Sequence, residues 1–83
     1  MIDYSKLPEH MQEATRAYIE DRRPPGGFLQ AVLANDFVMA ASRADDINQR
    51  CLFDWASFLY NEAPVECWGS PEAVFDWVEG RTE

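Results

Sequence analysis

Eighty-three residues, 47% of them apolar and 13% aromatic, make one small domain with a single packed core and are too apolar for a disordered chain. Fifteen acidic residues against seven basic ones give a net charge of −8, and residues 43–83 hold nine of the acids and three of the bases. Such a field repels phosphates and argues against direct nucleic-acid binding, while no stretch approaches the roughly 20 apolar residues of a membrane span.

Between punctuation at Pro8, Pro24-Pro25-Gly26-Gly27, Asn35-Asp36, Ala63-Pro64 and Gly69-Ser70-Pro71, the apolar residues recur with the helical period, and no segment alternates as a half-buried strand would. A first helix is expected over residues 8–22. Proline suits its first position, where a backbone N–H would have no partner. Leu7, Met11, Ala14, Thr15, Tyr18 and Ile19 fall on one face, with Glu9, Glu13, Arg16 and Glu20 opposite. Pro24-Pro25 ends it, since neither residue can donate to the helical ladder.

Residues 28–41 are apolar nearly all round, which implies either burial or two short helices at an angle. Asn35-Asp36 is the expected break, because both side chains compete for backbone hydrogen bonds, and helices over 28–34 and 36–42 follow. A third helical segment is expected over 44–61. Ser42 and Asp45 resemble a capping box, and Asp46 adds negative charge at the positive end of the dipole. Ile47, Cys51, Leu52, Trp55, Phe58 and Leu59 form its main apolar stripe, while Phe53, Ala56 and Tyr60 form a second apolar face. The last helix begins at Ser70 as N-cap with Pro71 inside it, turns Val74, Phe75, Trp77 and Val78 inward, and stops at Gly80. The fold class is therefore all-α, a bundle of four to five short helices over 1–83. Trp55, Phe58, Leu59, Trp77 and Val78 should meet in its core.

Two surfaces stand out. Glu72, Asp76 and Glu79 recur at i, i+4, i+7 on the outer face of the last helix, with Glu66 just upstream. Such a ridge is either a solvated face or a surface for a basic partner, and like charges at this spacing cost roughly 0.2–0.5 kcal/mol. Phe53 and Tyr60, two turns apart, are core if the first helix covers them and an aromatic anchor for a partner if it does not.

Reactive chemistry finds little support. His10 is the sole histidine, and no CxxC or HxxxH pair offers a metal site, so neither a metal nor another cofactor is expected. Cys51 and Cys67 lie in a chain without the basic flank and apolar run of a signal peptide; free thiols are expected. Gly26-Gly27 follows prolines rather than a strand, so it is no phosphate loop, and Arg22-Arg23 alone makes no DNA-reading face. A small hydrolase is disfavoured by the missing nucleophile–base constellation, and a non-enzymatic binding protein is expected.

The run Pro24-Pro25-Gly26-Gly27-Phe28-Leu29-Gln30-Ala31-Val32-Leu33-Ala34-Asn35-Asp36 resembles a family of short, uncharacterised phage and prophage proteins. So do Arg43-Ala44-Asp45-Asp46, Leu59-Tyr60-Asn61-Glu62-Ala63-Pro64 and Cys67-Trp68-Gly69-Ser70-Pro71-Glu72. The similarity spans roughly residues 7–79. It implies a phage accessory protein made in the cytoplasm of a bacterial host. By size and charge, though not by motif, such proteins are similar to inhibitors of host defence such as anti-CRISPR proteins. A protein partner, basic in character, is the expectation for the acidic half of the chain. The alternative is an accessory role in phage replication or assembly, with charge serving solubility.

Overall fold

The computed structural model describes residues 1–81, and every regular element among them is helical. In chain order these are α1 (Glu9–Asp21), α2 (Gly27–Leu33), α3 (Phe37–Arg43), α4 (Asp46–Arg50), α5 (Leu52–Asn61), a 3₁₀ turn (Val65–Cys67) and α6 (Pro71–Val78). The radius of gyration is 11.5 Å, against about 12 Å expected for a compact chain of this length.

Local chemistry sets most of the helix ends. Asp36, Asp45 and Ser70 are N-caps, each accepting a hydrogen bond from the backbone N–H three residues on, at Met39, Asn48 and Ala73. Each thereby satisfies one of the four donors that a helix start leaves unpaired. At the other end, α2 and α6 close with the same paired bonds. The Asn35 and Asp36 amides donate to Val32 and Ala31, and the Gly80 and Arg81 amides donate to Trp77 and Asp76. The residue making each reversal, Asn35 (φ 63°) or Gly80 (φ 74°), is left-handed, a conformation glycine and asparagine tolerate best. Asn35-Asp36 thus stops one helix and caps the next, which is why residues 28–41 make two helices rather than one buried rod.

The segment expected as one helix over 44–61 is two. Cys51 (φ −113°, ψ 18°) interrupts it, its amide turning back to Asn48. Its cap is Asp45, not the expected Ser42, whose hydroxyl instead donates to the Met39 carbonyl. Ile47 is exposed and is not part of the inward stripe, while Asn48 is buried and its Oδ1 accepts the Trp55 indole N–H at 3.1 Å. At about 100° per residue Asn48 falls within about 20° of Trp55 and Ile47 at the edge of the stripe, so it is residue type and not phase that misleads the reading here.

Trp55, Phe58, Leu59 and Trp77 share one core with Tyr18, Leu29, Leu33 and Cys67, and Val78 packs against it partly buried. Phe75 does not turn inward as expected; it is half exposed. The aromatic contact inside is edge-on, with Phe28 5.5 Å from Trp55 at 77°. The N-terminal segment straps α1 to α5: the Tyr4 ring lies 5.6 Å from Phe58, its hydroxyl donates to Glu20, and the Asp3 amide donates to Glu62.

Three polar links cross the core. The Tyr18 hydroxyl donates to the Cys67 carbonyl at 2.8 Å, and the Trp77 indole N–H donates to the Tyr18 carbonyl at 3.0 Å. Arg22 donates to the Trp77 carbonyl at 2.8 Å, with its guanidinium carbon 3.9 Å from the Trp77 ring centre. The C-terminal ends of α1 and α6 therefore satisfy one another's last-turn carbonyls.

Both cysteines are free, as expected. Cys67 is fully enclosed, and burial pushes its thiol up to about 12. Since the thiolate is the nucleophile, native protein at pH 8 should be alkylated at the partly exposed Cys51 while Cys67 reacts only after denaturation. Peptide mapping after a timed iodoacetamide pulse checks this; equal labelling of both would show that Cys67 is accessible.

Candidate functional site

A groove with an aromatic rim is built where α2 and α3 meet α5. Its lining is Ala31 and Val32 of α2, Phe37 and Ala40 of α3, and Leu52, Trp55, Ala56 and Leu59 of α5, with Asn35 and Asp36 at one edge. Three alanines, one on each helix, leave the hollow: larger side chains at 31, 40 and 56 would fill it. Its volume is about 100 Å³. The apolar cavity that holds benzene in an engineered protein measures about 150 Å³. The groove therefore has room for one branched aliphatic side chain.

The rim supplies the area. Ala56 lies one turn from Phe53 and one turn from Tyr60 on α5, and both aromatics stand out of the fold, 82% and 84% exposed. The first helix does not cover them, so they are surface and not core. Across the groove Phe37 is 72% exposed, with Val38 beside it similarly open. Aromatic residues in water around a small apolar pocket have the anatomy of an interface anchor: a central pocket ringed by side chains able to exclude water.

Of the acidic set, Glu66, Glu72 and Glu79 are exposed as expected and Asp76 is partly buried. The ridge is not purely anionic. Arg81, one turn beyond α6, places Nη1 3.8 Å from Asp76 Oδ1 and its guanidinium carbon 5.0 Å from the Phe75 ring centre. Proximity in sequence concealed this, because Arg81 follows the helix stop and returns only through the Gly80 turn. Phe75 thus stands between Glu72, Asp76 and Glu79 with hollows on both sides. One, of about 420 Å³, is lined by Pro71, Glu72, Phe75, Asp76 and Arg81. The other, of about 200 Å³, is lined by Pro24, Pro25, Gln30, Pro71, Val74, Phe75 and Val78.

His10 is engaged elsewhere: its Nε2 shares a 2.9 Å hydrogen bond with Asp45 Oδ2. The Asn48 amide first, and His10 second, hold the Asp45 carboxyl below its usual range. Among the described residues no three His, Cys, Asp or Glu side chains gather as a metal site, and no helix is long and apolar enough to cross a membrane.

Phe37, at the groove, and its neighbour Val38 are among the exposed apolar residues that reading the sequence did not single out. The available signal was the composition of α3: five consecutive apolar residues, 37–41, in a helix of two turns cannot all face one core. In comparisons with known proteins, the chain matches no family model, no curated protein and no solved structure.

Proposed function

We propose that this chain is a non-enzymatic phage accessory protein that binds a basic macromolecular partner in the cytoplasm of the bacterial host. The observation that carries the binding reading is the exposure of Phe37, in the lining of a groove sized for one aliphatic side chain, and of Phe53 and Tyr60, one turn either side of the lining residue Ala56. Leaving these three large aromatic side chains in water serves no folding purpose, and a partner that seats an apolar side chain between them would bury the area that gives binding its energy. A second copy of this chain is the poorer occupant, because each copy carries a net charge of −8. The phage setting rests on the sequence resemblance, and inhibition of a host nucleic-acid-handling or defence protein rests on the likeness in size and charge to anti-defence proteins. An accessory role in replication or assembly is the alternative, in which the charge serves solubility alone.

The test uses three forms of the full chain as bait against lysate of the bacterial host, across a salt series. Phe53→Ser with Tyr60→Ser removes the rim, and Ala56→Trp plugs the groove. All three positions are exposed, so melting should shift little. Any protein held by the wild type should be lost to both variants. Its capture should weaken as salt shortens the Debye length from about 10 Å at 0.1 M to about 3 Å at 1 M. Charge reversal of Glu72, Asp76 and Glu79 to lysine should mainly slow association, since rim charges act on the on-rate. Retention by both groove variants would overturn the groove as the binding face. Capture that ignores salt and the triple reversal would favour the alternative.

A further inference from the structure

The acidic ridge holds a cation of its own, and the way it does so indicates which cation the surface suits. Arg81 lies over Phe75 and beside Asp76, and both contacts are loose: 5.0 Å from guanidinium carbon to ring centre, and 3.8 Å for the ion pair, with the Arg81 side chain 61% exposed. Glu72 lines the same hollow and forms no ion pair among the described residues, nor does Glu79 on the same helix face. One guanidinium therefore lies over the one aromatic face and pairs with one of the three carboxylates, Asp76.

We propose that the hollow bounded by Pro71, Glu72, Phe75 and Asp76 is an arginine subsite for the partner, occupied in the free protein by the chain's own Arg81. A flat aromatic ring flanked by carboxylates matches a planar guanidinium, which stacks on the ring and donates in its own plane at once. A lysine ammonium is a hydrated point charge and makes only the second contact. Arg81 is short of the ideal because it is tethered one turn past the helix end, where its own amide is spent on the Asp76 carbonyl. A partner arginine entering from solvent has no such tether. It displaces Arg81 from Phe75 and pairs with Asp76 and Glu72. The inference rests on the basic-partner part of the function proposed above, and names the side chain that part requires.

The experiment compares a short arginine-only peptide with a lysine-only peptide of equal length, titrated into the isotope-labelled full chain at about 0.15 M salt. Equal charge cancels the general attraction of the −8 field, so the difference reports on the planar group. The arginine peptide should bind about threefold more tightly, with the largest shifts at Glu72, Phe75 and Asp76. Arg81→Lys keeps the charge and frees the ring, and should widen the arginine preference. Phe75→Leu should abolish the preference while leaving lysine binding unchanged, and Glu72→Gln with Asp76→Asn should weaken both peptides. Equal affinity for the two peptides in the wild type and in Arg81→Lys would overturn the proposal, as would a preference that survives Phe75→Leu. These variants question α6 alone, whereas the Phe53, Ala56 and Tyr60 variants question α5. Either reading can therefore fail while the other stands.

Discussion

Trp55→Ala should destabilise the domain by about 3–5 kcal/mol, the range for emptying a large aromatic site. Trp55 is 2% exposed at the centre of the core, so its loss removes packing against Phe28 and leaves a void that surrounding helices, capped at their ends, can only partly close. A second cost is polar. The buried Asn48 Oδ1 accepts the Trp55 indole N–H and would lose it, at about 1–3 kcal/mol for an unpaired buried acceptor. Trp55→Phe separates the two terms, because it keeps a ring in the site and removes the N–H. A chain of this length has about 4–12 kcal/mol in total, so Trp55→Ala removes about a quarter of it or more. Urea melts of wild type, Trp55→Phe and Trp55→Ala should show three ordered midpoints. A loss below about 1 kcal/mol for Trp55→Ala would place Trp55 at the surface.

Trp77→Ala should cost a similar amount, about 3–5 kcal/mol, for a different reason. Its ring is the platform under Arg22, its N–H satisfies the Tyr18 carbonyl, and its own carbonyl receives the Arg22 guanidinium. Only the last of these survives truncation of the side chain. Of these contacts between the ends of α1 and α6, only the Arg22 hydrogen bond to a backbone carbonyl would then remain. The damage should be local as well as global: amide exchange should quicken first in the last turn of α1 and throughout α6, ahead of α5. Trp77→Phe retains ring packing and should cost about 1–2 kcal/mol through the lost hydrogen bond. Uniform acceleration across all helices in Trp77→Ala would show that no separable clamp joins these two ends.

The sequence by itself determined what depends on neighbours along the chain. The first helix, the two short ones after it, the last one, the break at Asn35-Asp36, the Ser70 cap and the Gly80 stop follow from the 3.6-residue period and from side chains that bond to backbone two or three residues away, whereas the split of the 44–61 segment into α4 and α5 does not. The meeting of Trp55, Phe58, Leu59 and Trp77 was equally readable, because the most apolar stripes have only each other to cover them. Tertiary structure alone decided the rest. The bond from Tyr18 to Cys67 joins residues 49 apart, and no local pattern encodes such a pairing. Packing seated the polar Asn48 against the Trp55 indole and left Ile47 in water, and the return of Arg81 placed a cation on a ridge that reads as purely acidic. The fate of Phe53 and Tyr60 is the clearest case. Periodicity shows that α5 has two apolar faces, but not which of them the fold will cover. A chain of this length has too few other helices to sheathe both. The N-terminal strap and α2 close over the Trp55 side, and the opposite face is left in water as the surface on which a partner can be bound.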